Sequence, residues 1–276
     1  MPLLIQTNVA SLQSQKNLNQ TQAALNRSFN KLSSGLRINT AADDAAGLAI
    51  SESMKTQIRS YSVAERNAND AISMAQTAEG ALGQVSDILG RMRELAMQGA
   101  NGSLGVDDRS YLNTEFAQLQ SEITRIQAST KFNGTALLSA ATASIKFQVG
   151  LSNIATDQIT VTFGGLQLTS LLAATTKLSG ATAGNSLASL GRIDTALKTI
   201  STQRAKYGAA MNRLDNTTAN LQTMRLNLSA ANSRIRDVDV AEETANLSRN
   251  QVLSQAGTAI LAQANQIPQL ALNLLK

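Results

Sequence analysis

Apolar residues recur with a 3-4 spacing at both ends of the chain. Near the front, Leu18, Leu25 and Leu32 repeat every seven residues, interleaved by Gln22, Phe29 and Leu36. Near the back, Leu214, Leu221, Leu228 and Ile235 repeat in the same way, interleaved by Thr217, Met224, Ala231 and Val238. Such spacing gathers each set into one stripe along an α-helix. Neither helix can bury its own stripe. The pattern therefore predicts ends that meet each other or meet further copies, through a seam of Leu18, Leu25, Phe29, Leu32, Leu36, Leu214, Leu221, Met224, Leu228 and Ile235.

The interior reads mostly as helix. A first helix is predicted over residues 1–39, capped near Thr7-Asn8 and weakening at Ser33-Ser34-Gly35. Asp43 and Asp44 suit the positive end of a second helix that runs to about Gly99. At 1.5 Å per residue it would be roughly 80 Å long. Its stripe includes Ala68, Ala75, Leu82, Val85, Leu89, Met92 and Ala96, and Gly80, Gly83 and Gly90 are places for a slight bend. Arg91, Glu94, Leu95 and Gln98 lie off that stripe. A third helix is expected from Asp107-Asp108 to about Ser129, with Tyr111, Leu112, Phe116, Leu119, Ile123 and Ile126 inward, ended by a turn at Phe132-Asn133-Gly134.

Period-two alternation at Ile145, Phe147, Val149 and again at Ile159, Val161, Phe163 predicts a β-hairpin over about 144–164. Residues 166–185 show no firm period. Helix resumes near Asn185-Ser186, breaks at Arg236-Asp237-Val238-Asp239, and ends with a helix over roughly 241–274. This order predicts a mainly α fold: an elongated antiparallel helical bundle or coiled coil with paired N- and C-terminal helices and a small β-hairpin element.

Composition narrows the chemistry. Of 276 residues, 43% are hydrophobic but only 3% aromatic, so the core must be built from aliphatic residues and alanine. The two prolines, Pro2 and Pro268, stand at the extremities. A proline inside a helix costs about 3 kcal/mol, so the interval between them is open to uninterrupted helix. Cys and His are both absent, which removes disulfides, thiolate nucleophiles, the common zinc sites and the usual general base.

A carboxylate-only hydrolase or a Ca²⁺ site stays open on composition, but the residues do not converge on one. Asp43-Asp44 and Glu242-Glu243 are adjacent pairs, and neighbours on a helix point about 100° apart. Asp237 and Asp239 fall far short of the roughly six to eight oxygens that Ca²⁺ takes. No phosphate-cradling glycine motif occurs. The expected catalytic, cofactor and metal sets are therefore empty.

The net charge is +5, and residues 1–42 carry Lys16, Arg27, Lys31 and Arg37 without an acid. Without stacking aromatics this reads as a solvated helix face, not a nucleic-acid patch. No apolar run approaches the roughly 20 residues of a membrane span. Pro2-Leu3-Leu4-Ile5 is too short for the apolar region of a cleaved signal.

Several segments carry a resemblance. Asn30 to Asn39 (NKLSSGLRIN), Ala41 to Gly47 (AADDAAG), Arg91 to Asn101 (RMRELAMQGAN), Thr130 to Gly134 (TKFNG), Phe147 to Gly150 (FQVG) and Ala262 to Leu275 (AQANQIPQLALNLL) occur in this order. Together they resemble bacterial flagellin over residues 1–165 and about 186–276.

The resemblance implies a structural subunit that polymerises with itself into the flagellar filament and lies outside the cell. Such subunits travel unfolded through the flagellar type III export apparatus and fold their terminal segments on assembly. It implies a terminal coiled-coil inner domain (1–44 plus 233–276), a helical rod domain with the hairpin (45–165 plus 186–232), and a short connector (166–185) in place of variable outer domains. Implied partners are the cap and hook-junction proteins, an export chaperone on the C-terminal segment, and the innate receptor Toll-like receptor 5. The receptor motif maps onto Arg91, Leu95 and Glu115, with Gly90 departing from the bulkier polar residue frequent there.

O-glycosylation, common in the family, has candidates at Thr169, Ser170, Thr175, Thr176, Ser179 and Thr182. The alternative within the same superfamily is a hook–filament junction protein, against which the FQVG and AQANQIPQ segments speak. The metallopeptidase that some members carry needs histidines this chain lacks.

Overall fold

The computed structural model describes residues 7–139, 141–165, 177–180 and 183–273, with side chains described as far as 266. Among these residues the fold is mainly α. The long helices are α1 (Val9–Ser34), α2 (Ala45–Gly99), α3 (Val106–Ser129), α4 (Gly184–Arg236) and α5 (Val240–Asn273). Two small antiparallel hairpins lie between α3 and α4: β1 (Lys131–Phe132) with β2 (Thr135–Ala136), and β3 (Thr142–Gln148) with β4 (Gln158–Gly164). The chain divides into two compact units, residues 1–58 with 226–276, and residues 59–225.

The larger unit, 59–225, holds nearly all of the fully buried apolar side chains. Along α2, Ala64, Ala68, Ala71, Ala75, Ala78, Leu82, Val85, Leu89, Met92 and Ala96 are buried in an unbroken 3-4 repeat, with Met74 and Leu95 buried beside it. Along α4 they are Ile193, Ala196, Ile200, Gln203, Tyr207, Leu214 and Leu221, on the same spacing. The two helices run antiparallel, because the contacts Arg93–Asp194, Glu79–Arg204 and Glu65–Arg225 step up one helix and down the other. Exposed ion pairs of this kind contribute about 0–1 kcal/mol each. Their use here is to mark a register that the buried stripes set.

Residue size along α2 follows what it packs against. Its first half offers alanines, which let a partner helix approach closely. Its second half offers Leu82, Val85, Leu89 and Met92 to a wider core that also takes Phe116 and Ile123 from α3. Arg109 of α3 is buried, and its guanidinium donates to the carbonyls of Gly99 (3.0 Å) and Asn101 (3.1 Å), satisfying the end of α2.

The β3–β4 hairpin pairs Ile145 with Val161 and Phe147 with Ile159, and it buries Ile159, Val161 and Phe163 on one face. Its two edges are tied to helices. Asn67 of α2 donates to the Gln148 carbonyl at 2.9 Å, and Gln203 of α4 donates to the Thr162 carbonyl at 3.0 Å. Those side-chain bonds occupy edges that a two-stranded sheet would otherwise leave open.

Three sequence expectations change. Tyr111 does not point inward: it is 75% exposed, because the α3 stripe runs through Arg109, Leu112, Phe116, Ile123 and Gln127, about 100° away. The Phe132-Asn133-Gly134 turn is itself a hairpin, with Asn133 at φ 45° and Gly134 at φ 81° as a two-residue loop of this hand requires. The first helix stops at Ser34, not at 39, on Gly35 in the left-handed region (φ 71°).

Tyr207, fully buried with its ring 5.5 Å from that of Phe163, has its pKa raised, chiefly by burial. The folded state therefore holds the phenol's proton more tightly than the unfolded chain does. That stabilisation is complete below the unfolded tyrosine value of 10.0 and is lost as pH rises through the folded value. The melting temperature of this unit should fall above about pH 10, and Tyr207→Phe should flatten the fall in a pH series of thermal melts.

Candidate assembly interface

The unit formed by 1–58 and 226–276 is built around two helix breaks that clasp each other. Past α1, the Gly35 carbonyl accepts from the Val238 amide (3.1 Å), and the Arg37 amide donates to the Arg236 carbonyl (2.7 Å). The Arg37 guanidinium donates to the Ile235 carbonyl (2.6 Å), placing a cation on the negative end of α4. Each helix start has a carboxylate. Asp44 accepts from the Gly47 amide (2.9 Å) at α2, and Asp239 accepts from the Ala241 amide (2.9 Å) at α5.

Asp43 accepts from the amides of Thr40 (2.9 Å) and Asn39 (3.2 Å). The Thr40 amide above all, then the Asn39 amide and the Thr40 hydroxyl, hold its carboxyl below the usual range. Its contribution is present above the ordinary carboxylate pKa and is lost as pH falls through the lowered one. Asp43, Asp44 and Asp239 are thus turn and cap residues.

From this clasp α1 returns along α5, and the front stripe meets α5 instead of the 214–235 stripe. Asn8 Nδ2 donates to the Ala264 carbonyl (2.7 Å), Ser11 Oγ donates to Asn265 Oδ1 (2.7 Å), and Lys31 lies 4.0 Å from Glu243. A Cβ built on Gly257 would sit 3.3 Å from Leu18 Cδ1. Leu18, Leu25 and Leu32 are half-buried as the spacing predicts, but the positions between them are Thr21 and Ser28, not Gln22 and Phe29. Phe29 is 62% exposed. Leu36 lies past the helix, bridged to Asp237.

On the other side, Leu214 and Leu221 belong to the larger unit and are buried there, and Met224 is 40% exposed. Leu228 and Ile235 are half-buried in the smaller unit. The α5 face turned inward consists of Glu243, Leu247, Asn250, Ser254, Gly257, Leu261 and Ala264. It keeps the 3-4 spacing with too many polar and small residues to be read as a seam from hydrophobicity alone.

Pro268 completes the register. It lies in the last turns of α5 and has no amide to give the carbonyl four residues back, which is Ala264. That carbonyl accepts from Asn8 instead, while the Asn8 Oδ1 caps α1 by accepting from the Ser11 amide (3.1 Å). One asparagine thus satisfies groups on both helices.

The inward seam leaves much apolar surface outside. Among the described residues of this unit, only Ile38 and Ala264 are fully buried apolar side chains. Val9, Leu12, Phe29, Ile50, Leu226, Val240, Val252, Leu253 and Ile260 are all exposed. Burying a side chain of this size contributes about 1.5–3 kcal/mol. These exposed apolar side chains are the candidate interaction surface of this unit.

The segment Arg91 to Gln98 lies in the larger unit. Arg91 donates from Nε to Glu115 Oε1 at 2.8 Å and from Nη1 to Glu94 Oε2 at 3.0 Å, so Glu115 first, then Glu94, holds it more firmly protonated. Leu95, off the stripe by spacing, is in fact 1% exposed and packed in the core. The structure brings Arg91 and Glu115 together on the surface and puts Leu95 beneath it. Of the glycosylation candidates, Thr169, Ser170, Thr175, Thr176 and Thr182 lie outside the described residues. Ser179 is half-buried, its carbonyl accepting from Asn185 (2.8 Å).

Comparison with known proteins settles the family. The bacterial flagellin N-terminal helical region matches residues 5–143, and the bacterial flagellin C-terminal helical region matches residues 190–275. The chain belongs to the bacterial flagellin family. A flagellin of Halalkalibacterium halodurans is 44% identical over 94% of this chain and 93% of its own length. The flagellar filament 33 kDa core protein of Treponema phagedenis is 39% identical over 99% of this chain and its full length. A Bacillus cereus flagellin crystal structure is 36% identical over 60% of this chain and 94% of that one, with a TM-score of 0.49.

Asn8→Ala removes the α1 cap and leaves the Ala264 carbonyl without its side-chain donor. The loss should be about 1–2 kcal/mol, read as a lower melting temperature of the assembled polymer. In a Pro268→Ala background, where an α5 amide again reaches Ala264, the same substitution should cost less.

Proposed function

We propose that the chain is a structural subunit that polymerises with itself into the bacterial flagellar filament, outside the cell, and carries out no catalysis. The observation that carries this reading is the smaller unit's bare apolar set: among its described residues only Ile38 and Ala264 are fully buried apolar side chains. Such a unit gains its stability from neighbours. The family membership supports the same reading, since the curated relatives are named flagellin or filament core protein.

On this reading residues 1–44 with 233–276 form the terminal, subunit-packed coiled-coil domain, and residues 45–165 with 186–232 form the helical rod domain. The chain is exported unfolded, with its C-terminal segment held by a chaperone. It is added beneath a cap protein onto a base that begins with hook-junction proteins. Helices α1 and α5 order on arrival, and their loss of conformational entropy is offset by the apolar surface that neighbouring subunits cover. The exposed Arg91–Glu115 pair is the part of the receptor motif open to Toll-like receptor 5, with Leu95 acting through packing beneath it.

Purified chain should elongate short filament seeds. Leu253→Asp alters a side chain that is 50% exposed in the subunit, so folding of the larger unit should be unchanged. In the polymer it places an unpaired charge in an apolar contact, at a cost of several kcal/mol. Seeded elongation should stop, read by light scattering and electron microscopy. Normal filaments from this variant, or a wild-type chain that only caps hook ends, would contradict the reading.

A further inference from the structure

The chain holds two Asn-Gly pairs, Asn101-Gly102 and Asn133-Gly134. In such a pair the glycine has no Cβ to keep its amide nitrogen away from the asparagine side chain. Both pairs are exposed, at turns of the larger unit. They differ in what surrounds them.

Asn101 follows the end of α2, and hydrogen bonds fix its turn at three atoms. Its amide donates to the Gln98 carbonyl (3.1 Å). Its main-chain carbonyl accepts from Arg109 Nη2 (3.1 Å) and from the Leu104 amide (3.4 Å). Its Oδ1 accepts from the Ser103 amide (3.2 Å). The Gly102 amide lies between these groups and donates no hydrogen bond among the described residues. Arg109 is 4% exposed, so its charge acts on the Asn101 carbonyl with little screening by water. Asn133 has no such donors: it sits in the β1–β2 turn at φ 45°, and among the described residues no side chain is bonded to it.

The donors around Asn101 stand where charge develops if the Gly102 nitrogen attacks the asparagine side chain. The nucleophile is that nitrogen after loss of its proton, and its negative charge spreads onto the Asn101 main-chain oxygen, held by Arg109 and Leu104. The attack then places charge on Oδ1, held by the Ser103 amide. Fixed donors aimed at developing charge lower a barrier.

We propose that Asn101-Gly102 is a self-modifying site, at which the folded subunit converts its own asparagine to isoaspartate. The Gly102 nitrogen bonds to Asn101 Cγ, the Cγ–Nδ2 bond breaks, and ammonia leaves with the proton that Gly102 gave up. The cyclic imide then takes up one water. Cleavage at Cγ would give aspartate. Cleavage at the main-chain carbonyl gives isoaspartate, and that is the carbonyl Arg109 polarises. The oxygen that Arg109 binds then belongs to a carboxylate, so a neutral contact becomes an ion pair. No oxidant and no enzyme is needed, and each copy acquires one negative charge and a longer backbone at this turn with age.

Free subunits incubated in mildly alkaline buffer and digested with trypsin test this by mass spectrometry. The peptide from Glu94 to Arg109 reports Asn101, and synthetic standards separate its isoaspartyl from its aspartyl form. Conversion at Asn101 should be about tenfold faster than at Asn133 in the folded chain, with isoaspartate in excess, and the two sites should become alike in urea. Hydroxylamine should trap the imide in the folded subunit by cutting the chain after Asn101. Arg109→Lys should slow the folded reaction about tenfold and leave the rate in urea unchanged. Gly102→Ala should slow it in both states without disturbing the fold. A Cβ at Gly102 meets open space, and its φ lies outside the left-handed region. If Arg109→Lys fails to fold by circular dichroism, the wild-type comparison between buffer and urea decides alone. Conversion at Asn101 no faster in the folded chain than in urea, or a folded Arg109→Lys with the wild-type rate, would overturn the proposal.

Discussion

A helix hides one stripe against one partner, and whatever apolar surface lies off that stripe needs a second partner. This constraint organises the chain. In residues 59–225 each long helix has enough partners: α2 is covered by α4, α3 and the hairpin, and its stripe from Ala64 to Ala96 is closed off from water. In the unit made by the chain ends, α1 and α5 have chiefly each other. Their shared seam takes Leu18, Leu25 and Leu32 from one side and Leu247, Gly257, Leu261 and Ala264 from the other, while Val9, Leu12, Phe29, Val240, Val252, Leu253 and Ile260 are exposed.

The two units accordingly use different chemistry on the same 3-4 spacing. The stripe that α2 and α4 share in the larger unit is aliphatic and aromatic, with Tyr207 packed on Phe163 of the hairpin. The α1–α5 seam mixes leucine with serine, threonine and asparagine, and its register is fixed by hydrogen bonds such as Asn8 to Ala264 and Ser11 to Asn265. Hydrogen bonds of this kind contribute about 1 kcal/mol each. They choose an alignment without supplying a core. On the proposed reading, a polar seam tolerates water before assembly, and the bare apolar residues are the surface that neighbouring subunits cover.

Much of this is legible in the sequence, and the failures have physical causes. The 3.6-residue period locates all five long helices, and period-two alternation locates β3 and β4. Glycine at 35 and the carboxylates at 43, 44 and 239 announce the breaks. Hydrophobicity gives the wrong register for the front seam because 18-21-25-28-32 and 18-22-25-29-32 are both 3-4 series, and Phe29 favours the second. The burial of Ser28 shows that close approach, not hydrophobicity, decides between them. The same bias selects the leucines of 214–228 as partner over the glycine- and serine-bearing face of α5. Leu95 falls outside an α2 stripe drawn one residue wide. Where α3 adds a layer, Met92, Leu95 and Ala96 are all buried.

The central claim is that the terminal unit reaches full stability only when neighbours cover it. Hydrogen exchange at the backbone amides of α1 and α5, compared between free subunits and filaments, tests it most directly. The account predicts exchange within seconds to minutes in the free subunit, alongside slow exchange in the core of 59–225, and strong protection of α1 and α5 in the filament. Equal protection of α1 and α5 in the free subunit would contradict it.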